Sequence, residues 1–288
     1  MQIKDALIIG RNLLSQYKIS NSHFESRALL AHVINQSQEY ILFYSDRLLL
    51  SSDYNQFLHL IKLRTKYLPL AHLVGYKEFY SRNFIVDNSV LIPRPDSETL
   101  IDAVVRDYSK IANYQTSIPI NILELGVGSG CLIITLLLEL KNAIGVGVDI
   151  SMSALNIAHR NCQKYKLINS LKLLQSNWFS KLVLGEKYDI IIANPPYISN
   201  SELNMLSRET LLYEPHIALF SSNNGLQSYQ KIVPFISSFL NQNGRLYLEC
   251  SYNKAEIISN ICLKNGLILE NKYYDLNGYC RCLKFKLQ

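Results

Sequence analysis

The chain carries no C-x-x-C pair, no H-E-x-x-H, no P-loop and no Ser/His/Asp triad, so zinc, phosphate-loop and hydrolase chemistry have no motif to stand on. Its six histidines are scattered, packing or surface roles are expected of them, and no metal is implied. Six cysteines, Cys131, Cys162, Cys250, Cys262, Cys280 and Cys282, form no metal spacing. Cys280 and Cys282 share one face of a strand and cannot easily pair with each other, so small buried hydrophobes in a reducing compartment are expected. Long apolar runs are missing too: Cys131–Ile134 and Leu136–Leu138, split by Thr135, fall far short of the roughly 20 residues of a membrane helix. Met1-Gln2-Ile3-Lys4-Asp5 has an early acid and no signal core, and a cytoplasmic protein without membrane contact is expected. With 12 Gly and 8 Pro in 288 residues and no low-complexity tract, collagen-like and disordered classes are excluded. Charge is sparse at 18%, and 29 Lys+Arg against 23 Asp+Glu leave +6, spread as +3 over 1–73, −1 over 74–120 and +2 over each of 121–200 and 201–288. That spread offers no nucleic-acid footprint, so direct nucleic-acid binding is not expected.

What is present is a 48% hydrophobic chain long enough for about two domains. Ile3, Ala6, Leu7, Gly10, Leu13, Leu14 and Tyr17 follow helical spacing. Ser22-x-x-Glu25 reads as a capping box ahead of Ala28, Leu29 and Val33. Ser51 or Ser52 is the expected cap of a further helix bearing Tyr54, Phe57, Leu58 and Ile61, which Pro69 ends. Residues 1–73 are thus expected to form a small helical bundle, for packing or for substrate docking. Residues 76–92, with Phe79, Phe84, Val86, Val90 and Leu91 among turn-formers, read as a β-hairpin. Asp96 is a candidate N-cap for a helix carrying Leu100, Ile101, Val104 and Tyr108. Residues 110–119 read as a loop.

Beyond it, strand and helix alternate: Asn121–Leu125, Cys131–Leu140, Ile144–Val148, Met152–Lys166, Leu171–Leu174, Tyr188–Ala193, Gln227–Leu240 (helix), Arg245–Cys250, Lys254–Lys264 (helix), Leu267–Glu270 and Arg281–Leu287. The expected fold is α/β, a mostly parallel doubly wound sheet.

The first strand of this series runs from Glu124 into Gly126-Val127-Gly128-Ser129-Gly130. The spacing is not the dinucleotide G-x-G-x-x-G. Such a turn lets backbone approach a ligand at the carboxyl end of a strand, and Asp149, ending the next strand, can accept both ribose hydroxyls of an adenosine. Glu124, the glycines and Asp149 fit S-adenosylmethionine better than a dinucleotide. The sharpest motif is Asn194-Pro195-Pro196-Tyr197 after Tyr188–Ala193. The two prolines stiffen the backbone and leave carbonyls without competing N–H donors. Asn194 offers an amide oxygen, so two acceptors can hold both protons of one planar –NH2. Tyr197 offers an aromatic face. The plainer alternative is a stiff loop after a buried strand.

Glu124–Gly130, Asp149 and Asn194–Tyr197 together resemble the class I S-adenosylmethionine-dependent methyltransferases acting on planar amino groups. Ala71-His72-Leu73 with Gly75, Glu78-Phe79, Ile92-Pro93-Arg94-Pro95-Asp96, Gln175-Ser176-Asn177-Trp178-Phe179 and Glu214-Pro215 narrow the likeness to the HemK-type release factor glutamine methyltransferases, over essentially the whole chain. This resemblance implies a Rossmann-like methyltransferase domain at 93–288, a substrate-docking bundle at 1–73 and a hairpin linker at 74–92. It implies that Glu124, Gly126, Val127, Gly128, Ser129, Gly130, Asp149, Asn177, Trp178 and Asn194 hold S-adenosyl-L-methionine. It also implies that Asn194, Pro195, Pro196 and Tyr197 hold the glutamine of a Gly-Gly-Gln loop in class I peptide chain release factors, with Asn194, Pro195 and Tyr197 as the catalytic set. Asn177 stands where the family usually has Asp, and a neutral acceptor binds an adenine amino group more weakly. The family often has a Gly-containing tail after the Glu of the strand Arg245–Cys250; here Glu249 is followed by Cys250-Ser251. The rival readings are a ribosomal-protein glutamine methyltransferase, an adenine or guanine methyltransferase, and a non-enzymatic adaptor on the same fold.

Overall fold

A computed structural model describes residues 1–113 and 118–288. The chain divides into two compact units, Met1–Tyr76 with Leu206–Tyr213, and Lys77–Met205 with Glu214–Gln288.

The first unit packs α1 (Ile3–Gln16), α2 (Ser22–Val33), α3 (Gln38–Phe43), α4 (Ser51–Arg64) and α5 (Leu70–Val74). Ile3, Ala6, Leu14, Leu29, Leu30, Ile41, Phe57 and Ile61 form its core. Gly10 sets the closeness of that packing, since a Cβ there would lie 2.5 Å from Ser26 Oγ and 2.6 Å from Phe57 Cζ. The expected capping box is not made. Asn21, not Ser22, precedes α2, without a side-chain cap, and the Glu25 carboxylate is drawn inward to Arg64, whose Nε and Nη2 donate at 2.5 and 3.1 Å. A buried guanidinium outcompetes a backbone N–H for that charge. Leu50, rather than Ser51 or Ser52, precedes α4, which stops at Arg64, while Pro69 leads into α5. The 206–213 segment joins this unit through a helix, α9 (Arg208–Tyr213). Glu209 pairs with Arg64 at 2.8 Å, and the Tyr213 hydroxyl donates to the Lys66 carbonyl at 2.9 Å.

The second unit begins at Lys77, within the first of the hairpin strands β1 (Tyr76–Phe79) and β2 (Arg82–Ile85), which precede a 3-10 turn at Pro95–Ser97 and α6 (Glu98–Asn113). Phe79 and Phe84 are buried in this unit's core. Asp96 lies inside the 3-10 turn, and its carboxylate pairs with Arg281 at 2.7 Å instead of serving as a helix cap. The expected loop at 110–119 begins later than expected, because α6 continues to Asn113; residues 114–117 lie outside the described residues.

Next come β3 (Ile120–Leu125), α7 (Cys131–Glu139), β4 (Ala143–Asp149), α8 (Met152–Lys164), β5 (Leu171–Gln175) and β6 (Tyr188–Ala193). The segment expected as one helix, 227–240, is broken. Pro234 cannot donate an N–H, and α11 (Gln227–Ile232) passes through a 3-10 turn at Val233–Phe235 into α12 (Ile236–Phe239). A short α10 (His216–Leu219) precedes it, and β7 (Leu240–Glu249), α13 (Ala255–Leu263), β8 (Leu267–Tyr274) and β9 (Cys280–Leu287) close the chain. β7 starts five residues earlier than expected and β8 runs to Tyr274.

Among the described residues the sheet order is β5-β4-β3-β6-β7-β9-β8. β3 to β7 run parallel, and β9 is antiparallel to both β7 and β8. The order reverses between β3 and β6, the switch point where α/β sheets hold ligands. Both faces are covered, which is why the strands read as nearly continuous apolar runs. Ile190 and Ile192 enter one core with α6, α7 and α8, while Ile191 and Ala193 enter the other with α11, α12 and α13. Five cysteines are buried, Cys131 is half-buried, and all six are free thiols. Among the described residues no helix is long and apolar enough to cross a membrane, and no group of three or more His, Cys, Asp or Glu is placed to hold a metal.

Candidate active site

Strand register decides which residues meet. Leu125 lies level with Val148 and Ala193, and Ala193 with Leu248. The next residues along, Gly126, Asp149, Asn194 and Glu249, therefore stand in a row at the carboxyl edge of the sheet. A cavity of about 300 Å³ opens there, lined by Glu124, Gly126–Ser129, Asp149, Asn177, Trp178, Asn194 and Pro196 among others.

The glycine loop is held by its own backbone: the N–H groups of Gly126 and Val127 donate to the Val148 carbonyl at 2.8 and 2.9 Å. Gly126 and Gly128 both have positive φ, +79° and +51°, which only glycine adopts without strain. Asp149 Oδ2 accepts from Gly128 N and Oδ1 from Ser151 N, each at 2.9 Å. Burial raises the Asp149 pKa, while these N–H bonds and that of Ile150 pull it down; burial wins. Glu124 is fully buried, accepts from Ile133 N at 3.0 Å, and is pushed well above the usual carboxylate range by that burial. It ties the end of β3 to the first turn of α7 at the cavity wall. Asn161, which sequence reading did not single out, is buried and donates to the Ser129 and Ile85 carbonyls at 2.8 and 3.0 Å. It thereby ties the glycine loop to β2. Gly130 is not a lining residue; it turns the chain into α7 at φ +80°.

Trp178 also lines the cavity, its ring 3.6 Å from where a Cβ on Gly126 would be. Its φ of +53° is uncommon for so bulky a residue. The Ser176 hydroxyl holds that backbone by donating to the Trp178 carbonyl at 2.7 Å. Such an outlier, fixed by its surroundings at a cavity, points to function.

Of the Asn-Pro-Pro-Tyr set, Asn194 and Pro196 line the cavity, whereas Pro195 and Tyr197 do not. Pro195 is buried. The Tyr197 ring packs against the second core, and burial raises its hydroxyl pKa. Its carbonyl accepts from the buried Lys254 ammonium at 2.6 Å. Asn194 Nδ2 donates to Ser97 Oγ at 3.2 Å, and the Glu249 carboxylate faces the same side of the amide. Ser97 and Lys254 are residues that sequence reading missed, and it met Glu249 only as the strand-ending Glu before Cys250-Ser251, with no role at Asn194. All three reach the site by tertiary packing. Arg94 and Ile92 N are both held by Glu214, at 2.5 and 3.0 Å, which joins the Ile92–Asp96 segment to the cavity rim.

The family model described as the methyltransferase small domain matches residues 111–225, and that of the PrmC N-terminal domain matches residues 5–75. The chain is 40% identical over 304 residues to a bifunctional methyltransferase of Rickettsia felis, covering 98% of this chain and 58% of that protein. It thus spans little more than half the length of that relative. It is 32% identical over 262 residues to the release factor glutamine methyltransferase of Buchnera aphidicola subsp. Baizongia pistaciae, covering 91% of this chain and 90% of the relative. To the release factor glutamine methyltransferase of Cereibacter sphaeroides it is 30% identical over 287 residues, covering 100% and 99%. Aligned almost end to end with these last two relatives, the chain belongs to the release factor glutamine methyltransferase family.

Proposed function

We propose that this chain transfers a methyl group from S-adenosyl-L-methionine to the side-chain amide nitrogen of the glutamine in the Gly-Gly-Gln loop of class I peptide chain release factors. It does so in the cytoplasm and without binding nucleic acid directly. One observation carries the reading. Asn194 stands in one cavity with the glycine loop and Asp149, with its amide nitrogen committed to Ser97. Its oxygen is left as an acceptor for a substrate N–H. The names and coverage of the relatives support the substrate class.

The cavity suits the cofactor. A Cβ on Gly128 would meet no atom within 4 Å, so the loop leaves open the space a side chain would take. Gly126–Ser129 and Asp149 would hold the ribose side, with Trp178 and Asn177 against the adenine. When bound, S-adenosylmethionine supplies an electrophilic methyl group. The residues of the chain do the rest by orientation. An amide nitrogen is a weak nucleophile because its lone pair is delocalised. A hydrogen bond from its –NH2 to Asn194 Oδ1 favours the pyramidal, charge-developing form, fixed alignment removes the entropic part of the barrier, and the buried Pro195 stiffens the backbone that carries Asn194. The proton leaves to solvent after transfer. Tyr197 stiffens the loop from behind, and residues 1–73 grip the release factor.

The test is methyl transfer to a purified release factor, read by mass spectrometry on the Gly-Gly-Gln peptide, with the Gln→Ala factor as control. Methylation confined to that glutamine is expected. Equal methylation of the control, or transfer only to a ribosomal protein or to nucleic acid, would overturn the substrate.

A further inference from the structure

Glu249 is 2% exposed and stands beside Asn194 at the sheet's carboxyl edge, because Leu248 and Ala193 are level in register. A carboxylate in such a place is costly unless paired. Yet Arg281, the cation facing it, is spent on Asp96 and Asp275, at 2.7 Å each. The Tyr229 hydroxyl donates to the Glu249 main-chain carbonyl, not to its side chain. Among the described residues Oε2 is buried without a completed hydrogen bond. What does face the carboxylate is the Ser97 hydroxyl and the Asn194 amide. A leucine or glutamine would fill the place at less cost, so the charge needs another reason.

We propose that Glu249 is a positioning residue that holds the Asn194 amide with its nitrogen inward and its oxygen toward the cavity, directly and through Ser97. The inference rests on Asn194 being the acceptor for the substrate amide. An ionised carboxylate only accepts hydrogen bonds. The Ser97 hydroxyl therefore gives its proton to Glu249 and keeps its lone pairs for Asn194 Nδ2, which it meets at 3.2 Å. The reversed amide would set Oδ1 against the carboxylate and against those lone pairs, acceptor on acceptor. Protonation of Glu249 removes this bias, since a carboxyl can donate.

Burial pushes the Glu249 pKa up to about 7. Arg281 favours the charged form and Asp96 opposes it. The other titratable groups facing it are Tyr197, Tyr229, Cys131, Cys250 and Cys282, all raised and neutral near that pH.

Two readouts test this. The side-chain amide protons of Asn194, followed by NMR without substrate, are expected to titrate in the wild-type chain with a midpoint of about 7, and Glu249→Gln abolishes that titration. In methyl transfer, Glu249→Gln and Ser97→Ala are expected to lower kcat about tenfold with unchanged cofactor affinity, while Ser97→Thr, which keeps the hydroxyl, stays near wild type. Absence of the titration, or wild-type kcat in both damaging variants, overturns the proposal. Should Glu249→Gln not fold, the contrast between Ser97→Ala and Ser97→Thr decides it. If the wild-type chain methylates no glutamine, the proposed substrate falls while the NMR titration still decides the role of Glu249.

Discussion

Asp149 Oδ2 accepts the Gly128 N–H at 2.9 Å, so the carboxylate proposed to bind ribose also holds the glycine loop in shape. A carboxylate has about four lone-pair sites, so the backbone bonds to Asp149 still leave acceptor capacity for a ligand hydroxyl. Asp149→Ala is expected to weaken S-adenosylmethionine binding by roughly 1.5–3 kcal/mol, the worth of charged hydrogen bonds. It should also lower the unfolding temperature without cofactor, since two loop N–H groups lose their partner. Calorimetry and thermal melts measure the two effects, and unaltered cofactor affinity counts against the ribose role.

Trp178 is the single tryptophan of the chain, and it lines the cavity. Saturable change of its fluorescence on adding S-adenosylmethionine is expected. Emission that stays constant at saturation rules out its stacking on the adenine.

Asn194→Ala removes the acceptor while its neighbours stay in place. Turnover on the release factor should fall about 10²–10³-fold, typical for one preorganised contact, with little change in cofactor affinity. Near wild-type turnover rejects the mechanism whatever the substrate.

Glu249 also makes a stability prediction. Burial moves its pKa from the usual 4.5 to about 7, so folding favours the neutral form. Stability on its account is fully present below a pH of about 4.5 and is lost as pH rises through about 7, by on the order of 3 kcal/mol. Glu249→Gln should flatten that slope in urea unfolding and gain stability relative to wild type at pH of about 8. An unchanged slope would show that the charge is not paid for in stability.

In the first unit Arg64, 4% exposed, meets both Glu25 and Glu209. Arg64→Met leaves Glu25 buried and uncompensated, and a loss of about 3–5 kcal/mol is expected. Adding Glu25→Gln should restore part of it. Additive losses in the double-mutant cycle would mean the pair is not coupled.

The sequence by itself settled what is local. Strand and helix alternation follows from apolar spacing and turn residues. The glycine loop, Asp149 and Asn194-Pro195-Pro196-Tyr197 are legible because each directly follows or ends a strand, and a parallel sheet brings such carboxyl ends to one edge. Tertiary structure alone decided the partners. Ser22 and Glu25 have the spacing of a capping box, but Arg64, distant in the chain, takes the carboxylate. Pairs of this kind are invisible to periodicity, which marks the buried face of an element without naming what packs on it. Residues 206–213 look like part of the second unit's connections until Glu209 and Tyr213 are seen bound to α4 and its exit. Nothing in the sequence links Ser97 or Glu249 to Asn194; they reach it because a 3-10 turn packs over the sheet edge and β7 lies level with β6. Register is fixed by the burial of whole strand faces, a property of the assembled sheet that no single segment contains.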